Sequence, residues 1–247
     1  MAADPLLRPG ETLDDLRLGG LRIIQKKDGY RFSLDPVLLC AFAHIRPAAS
    51  VCDLGCGSGV IPLILARTSP AARIVGLEIQ QQLAERAARS VLLNRLQDRV
   101  EVLHQDVRQV QARMRAGSFD VVLANPPYRR PCSGRIAPRD ERARARHELD
   151  GALADFLAAG AYLLGSGGRF FLVHLAERLV DLLGEMRCVG LEPKRLRCVH
   201  SRAGEAARLV LVEGRRDGAA GLAVLPPLFI YEGSGYSAEV MAMYGEG

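Results

Sequence analysis

Apolar positions in this chain fall into two recurring patterns. Short runs of aliphatic and β-branched residues alternate with longer stretches in which apolar residues return every three or four positions. That alternation predicts a parallel sheet covered by helices, an α/β fold. Strands are expected at 50–54, 73–78, 100–104, 120–124, 168–174 and 196–200, with helices at 60–66, 80–94, 107–116, 151–164 and 176–189. Two later strands, 208–213 and 222–231, are joined by the polar, glycine-rich stretch 214–221 and predict an antiparallel end to the sheet. Pro226 and Pro227 place the last of them at an edge or in an extended arm, because proline donates nothing to a ladder. Ahead of residue 50, a hairpin is expected from 21–24 and 30–33 about a turn at Gly29, then a helix from about Asp35 to Ala43.

Composition narrows the class. With 49% hydrophobic and 25% charged residues among 247, the chain matches a soluble globular protein, not a disordered or collagen-like one. No run of about 18 apolar residues is available to cross a bilayer, and the first residues lack the charged-then-apolar pattern of a secretion signal, so a cytoplasmic protein is expected. The length suits one compact unit, a main domain over 50–247 with residues 1–49 as an extension. Cys40, Cys52, Cys56, Cys132, Cys188 and Cys198 show no Cys-x-x-Cys spacing, which predicts free thiols and no metal site. One short segment carries seven arginines, Arg129, Arg130, Arg135, Arg139, Arg142, Arg144 and Arg146, against Asp140 and Glu141. This local excess of five equals the formal net charge of the whole chain, and it suggests a polyanionic partner.

Chemistry enters at the strand ends. Asp53-Leu54-Gly55-Cys56-Gly57-Ser58-Gly59 follows the first buried strand and opens a helix, where an open α/β sheet binds its ligand. The spacing is not the Gly-x-Gly-x-x-Gly of a pyrophosphate loop, and a carboxylate beside it would repel phosphate. It suits a ligand carrying an ammonium group, most simply S-adenosylmethionine. Glu78, at the end of the second strand, can accept from two ribose hydroxyls, and its neighbour Ile79 can cover an adenine face. Asp106, followed by Val107 after the third strand, can accept from the adenine amino group.

The fourth strand runs into Asn125-Pro126-Pro127-Tyr128. The prolines fix the backbone so that the Pro126 carbonyl stays free, and Asn125, which also borders the donor pocket, adds a second acceptor. Together they can hold both hydrogens of a planar amino group while Tyr128 stacks on the conjugated system.

These motifs resemble the class I, S-adenosylmethionine-dependent methyltransferases of the small-domain group that carry Asn-Pro-Pro-Tyr. The chain looks most like the bacterial enzymes that methylate N6 of adenine 37 in a valine tRNA. The similarity extends to Ile23-Ile24-Gln25, to the stretch from Gly29 to Leu39, to Leu225-Pro226-Pro227-Leu228 and to Tyr236-Ser237-Ala238-Glu239. The resemblance implies a Rossmann-like, mostly parallel seven-stranded sheet with an antiparallel end and helices on both faces. It implies that Phe32 and Ser33 lie over the cofactor, that residues 125–128 grip the target base, and that Arg129 and Arg130 contact phosphates. Pro36 stands where this family tends to carry alanine. A tRNA partner is expected, with no membrane and no metal, and a monomer or weak homodimer. The enzymatic rival is methylation of a glutamine amide in a peptide release factor, for which residues 1–49 offer little room for a helical substrate domain. A binding module without catalysis is the other alternative.

Overall fold

The computed structural model describes residues 6–28, 33–127 and 153–245. Among these, the centre is a nine-stranded sheet. Five strands run parallel: β3 (Ser50–Leu54), β4 (Arg73–Glu78), β5 (Val100–His104), β6 (Phe119–Ala124) and β7 (Leu164–Leu175). Beyond β7, β9 (Ala207–Arg216) pairs antiparallel with both β7 and β8 (Leu191–His200). Two short strands, β10 (Ala223–Val224) and β11 (Leu228–Phe229), lie along β8 at the edge. Across the sheet the order is β10, β8, β9, β7, β6, β3, β4, β5. A separate hairpin pairs β1 (Glu11–Asp15) with β2 (Arg22–Lys26), and another pairs β12 (Tyr231–Glu232) with β13 (Gly235–Tyr236).

The central strands read as unbroken apolar runs because both faces are covered. On one face Val51, Val121 and Phe171 join Leu38 and Phe42 of α1 (Asp35–Phe42) and Ile61, Leu63 and Ile64 of α2 (Val60–Thr68). Leu16, Leu18, Leu21 and Ile23 of the N-terminal hairpin region complete that core. The other face sets Cys52, Val122 and Phe170 against Phe156 and Leu157 of α4 (Leu153–Leu163) and Leu182 and Met186 of α5 (Leu179–Cys188). Val91 of α3 (Gln81–Leu93) belongs to the first core. So does Val240 of the last helix, α6 (Ala238–Met243). Pro36 sits in the first turn of α1, where a missing N–H costs nothing.

Three features differ from the expectations. The strand β2 pairs with β1 through a turn at residues 16–21, a partner that the polar residues of 11–15 concealed. The expected turn at Gly29 falls on residues 29–32, which lie outside the described ones. The expected strand 222–231 is broken by Pro226-Pro227, and its two fragments run parallel to β8, so they extend the seven-stranded sheet to nine. After β5 the chain forms a 3-10 segment, Val107–Ala112, with non-helical backbone at Gln109, in place of the longer helix 107–116.

A buried ion cluster fastens the N-terminal hairpin to α3. Glu11 meets Arg89 at 2.6 Å and Arg86 at 3.2 Å, with its side chain only 8% exposed. The Asn94 amide brackets the Arg22 backbone from both sides. Hydrogen bonding from Arg89, the Arg8 backbone N–H and Arg86 outweighs the cost of burial and pulls the Glu11 carboxyl from 4.5 to about 2. A depressed carboxyl contributes stability that is present above the unfolded value, 4.5, and disappears as pH falls toward 2. Glu11→Gln removes the counter-charge from one buried and one half-buried guanidinium group, so we expect a loss of about 3 kcal/mol at pH 7. Urea unfolding from pH 7 down to pH 2 should show the wild type converging on the variant across that window.

Candidate active site

The C-terminal ends of β6, β3, β4 and β5 stand in a row, each about 4.8 Å from the next. In that order they present Asn125, Asp53, Glu78 and Asp106, so four acceptor side chains from distant parts of the sequence share one sheet edge. Asp53 lies one residue before the end of its strand, and Leu54 continues the ladder beneath the loop. Gly57 and Gly59 carry φ of +56° and +87°, conformations that L side chains rarely adopt. A Cβ at Gly59 would also meet the Cβ of Ala87 at 3.0 Å, which lets α2 begin tight against α3. At Gly57 a Cβ would meet nothing within 4 Å, so the backbone there borders open space.

Glu78 is only 5% exposed and ties two segments together. Its Oε2 accepts from the Gly57 N–H at 2.8 Å and its Oε1 from the Gln80 N–H at 2.8 Å. A carboxylate oxygen can accept more than one hydrogen bond, so both are suited to adjacent ribose hydroxyls as well. Ile79 is half-buried, and its carbonyl is 2.9 Å from Nε2 of His104.

Asp53 is fully buried, and neither carboxylate oxygen has a hydrogen-bond partner among the described residues. Burial pushes its carboxyl well above the ordinary range, and the charge of Glu78 adds to the shift. An orphaned carboxylate inside a protein calls for a proton or a cation. This is the observation that fits an ammonium-bearing ligand. Cys56, Cys52 and Cys40 are buried nearby, and burial holds all three thiols well above their usual range, so they pack as small apolar groups and not as nucleophiles.

Asp106 has a local partner. Its carboxylate accepts from the Arg108 backbone N–H at 2.9 Å and pairs with the Arg108 guanidinium at 2.7 Å, and that hydrogen bonding lowers its pKa. An adenine amino group reaching Asp106 has to share it with Arg108. Val107, the first residue of the 3-10 segment, is buried under the same edge.

Asn125 and Pro127 are half-buried and Pro126 is buried, directly after β6. Ser33, half-buried ahead of α1, accepts from the Asp35 N–H at 3.3 Å. The remaining site residues expected from the sequence are not among those the structure describes. Phe32 and Tyr128 lie outside the described residues, and so does the whole basic segment expected to meet nucleic acid: Arg129, Arg130, Arg135, Arg139, Arg142, Arg144 and Arg146. Sequence reasoning misses two buried polar side chains. Gln25 of β2 is 2% exposed, its amide has no hydrogen-bond partner among the described residues, and the available signal is a glutamine closing the apolar run Ile23-Ile24. His174 lies near the end of β7, the strand beside β6, and burial and the charge of Arg178 hold it down to about 4, so it is neutral at physiological pH.

A family model described as the methyltransferase small domain matches residues 36–181, which takes in the glycine loop, the acids at the strand ends and Asn125-Pro126-Pro127-Tyr128. The chain belongs to the methyltransferase small-domain family. Among its relatives is a tRNA1(Val) (adenine(37)-N6)-methyltransferase of Porphyromonas gingivalis, 32% identical over 75% of this chain and 74% of that one. A protein of the same name from Bacteroides thetaiotaomicron is 35% identical over 64% of this chain and 67% of its own length. A solved structure from Agrobacterium tumefaciens, described as a predicted O-methyltransferase, superposes with a TM-score of 0.70. It is 24% identical and covers 86% of this chain and 96% of that one. Geranyl diphosphate methyltransferase solved with S-adenosylmethionine aligns at a TM-score of 0.52 and 14% identity, over 73% of this chain and 84% of that one. This member of the small-domain family therefore has the Rossmann-like class I methyltransferase fold.

Proposed function

We propose that this protein is an S-adenosylmethionine-dependent N-methyltransferase acting on the exocyclic N6 amino group of an adenine in tRNA, adenine 37 of a valine tRNA. The observation that carries the reading is the adjacency of Asn125 and Asp53 on neighbouring strands, an amine-gripping acceptor one strand away from an orphaned carboxylate. The names of the relatives support the choice of substrate. S-adenosylmethionine, when bound, supplies an electrophilic methyl group on sulfur. The rest is done by this chain. Asp53 offers its buried charge to the ammonium group, and Glu78 offers the ribose a carboxylate already fixed by Gly57 and Gln80.

The Asn125 side-chain oxygen and the Pro126 carbonyl accept the two hydrogens of the target amine. An adenine amine is a weak nucleophile because its lone pair is delocalised into the ring. Acceptors that favour a pyramidal nitrogen act mainly on the transition state. Tyr128, next in sequence, supplies a ring for the flipped-out base. Arg129 and Arg130, with Arg135, Arg139, Arg142, Arg144 and Arg146 further along, supply charge for phosphates. Electrostatic steering by that segment fits RNA better than a release-factor peptide.

Incubation with labelled S-adenosylmethionine, total tRNA and purified release factor tests the proposal. Label is expected in tRNA, at N6-methyladenine in position 37 by mass spectrometry of digested RNA. Label in release factor alone would transfer the same site to an amide substrate, and label in neither would leave a binding module.

A further inference from the structure

Beyond the end of β8 the chain builds a column of aromatic side chains that the catalytic site does not use. Tyr231 and Tyr236 face each other across the β12–β13 hairpin, ring centroids 5.4 Å apart and planes 16° from parallel. Tyr244, just after α6, stacks on Tyr236 at 6.3 Å and the same 16°. The Arg202 guanidinium carbon lies 5.5 Å from the Tyr231 ring centroid, and Arg202 is tied to the hairpin by a 2.7 Å bond to the Gly233 carbonyl. Such spacings are offset stacks, which leave part of each face uncovered. Tyr231 and Tyr236 are accordingly each 40% exposed.

The position of this column matters as much as its composition. β8 is antiparallel to β9, and β9 is antiparallel to β7, which runs parallel to β6. β8 and β6 therefore point the same way, and the end of β8 lies on the same sheet edge as Asn125. Three strand spacings separate them, about 14 Å. The Tyr231 N–H bonds to the Ser201 carbonyl at 2.9 Å, so the hairpin continues directly from that edge. The cross-strand pair also helps to hold a hairpin of two-residue strands, but that task does not require a guanidinium capping a ring face.

We propose that Arg202, Tyr231, Tyr236 and Tyr244 form a stacking platform for unpaired RNA bases that flank the target nucleotide. Bases stack on aromatic rings and on arginine planes regardless of sequence, and single-stranded RNA is bound in this way. The column rests on the tRNA reading given above, and it deepens that reading by placing the unpaired loop across the β6-to-β8 edge.

Three readouts test it. Steady-state methylation of tRNA by Arg202→Gln and Tyr231→Leu should show KM for tRNA raised about tenfold, with kcat and KM for the methyl donor unchanged. Photo-crosslinking of a single-stranded RNA carrying 5-iodouridine should map to Tyr231 or Tyr236. The chain has no tryptophan, so quenching of its tyrosine emission gives a direct binding signal. Arg202→Gln leaves the ring pair intact, so its KM remains informative if Tyr231→Leu lowers the melting temperature. An unchanged KM in Arg202→Gln with an active wild type, or crosslinks mapping only elsewhere, overturns the platform and leaves the tRNA activity standing. If the wild type methylates no tRNA, the activity proposal fails, and the crosslink alone then decides the platform.

Discussion

Replacing Asn125 by alanine is expected to lower kcat for methyl transfer by about 10²- to 10³-fold while the dissociation constant for S-adenosylmethionine changes by no more than about threefold. The magnitude follows from the loss of one preorganised polar group aimed at charge that develops only in the transition state. The selectivity follows from where the groups sit. The groups proposed to hold the donor, Asp53, Glu78 and Asp106, belong to β3, β4 and β5 and to the residues that follow them, whereas Asn125 extends from β6 and only borders that pocket. Removing a transition-state contact lowers kcat and kcat/KM together, and leaves ground-state binding of the other substrate alone. Calorimetry of donor binding beside single-turnover methylation would separate the two quantities. Parallel loss of both would assign Asn125 to the cofactor pocket and empty the amine-gripping role.

The same row of strand ends shows what the sequence makes legible. Strands β3, β4 and β5 fall at the expected bounds because each is a short aliphatic or β-branched run flanked by turn and helix signals, although only β3 and β4 are buried and β5 is the part-exposed edge of the sheet. Asp53, Glu78 and Asp106 are then placed by counting to the end of each strand. What the pattern cannot carry is partnering. Glu78 reads as a ribose ligand, yet nothing local shows that its oxygens also hold the Gly57 and Gln80 amides. Asp106 reads as an open acceptor, but Arg108, two residues on, folds back to pair with it.

The N-terminal hairpin escapes the pattern for a similar reason. β1 is a polar strand whose Glu11 is buried only because Arg86 and Arg89 arrive from α3, 75 and 78 residues later. The edge strands β10 and β11 are too short to show periodicity, and their parallel direction depends on the path taken around Pro226-Pro227. The tyrosine column, too, is assembled from the hairpin, the residue after α6 and the loop after β8, so the sequence shows three tyrosines near its end that could stack on bases or pack on the sheet edge, but not that they stack on one another.

Asp53→Asn is expected to raise the melting temperature of the cofactor-free protein and to weaken S-adenosylmethionine binding roughly 10- to 100-fold, opposite effects from one substitution. Its carboxyl titrates well above 3.8 in the folded chain, so between those values the native state holds a proton that the unfolded chain has released. Stability therefore declines as pH rises through that interval, and above it the buried charge persists as a fixed penalty. An isosteric amide removes the penalty, and each kcal/mol recovered should shift the midpoint by about 2–4 °C in a domain of this size. Binding follows the reverse logic. A ligand ammonium favours the ionised carboxylate, so donor affinity should rise with pH as Asp53 loses its proton, and binding below that point should release a proton to the buffer. Charge-assisted hydrogen bonds of this kind contribute about 1.5–3 kcal/mol, which sets the expected loss in the amide variant. Titration calorimetry in two buffers of different ionisation enthalpy measures the proton release directly. Equal affinity and equal proton release in the wild type and Asp53→Asn would show that the orphaned carboxylate serves the loop and not the ligand.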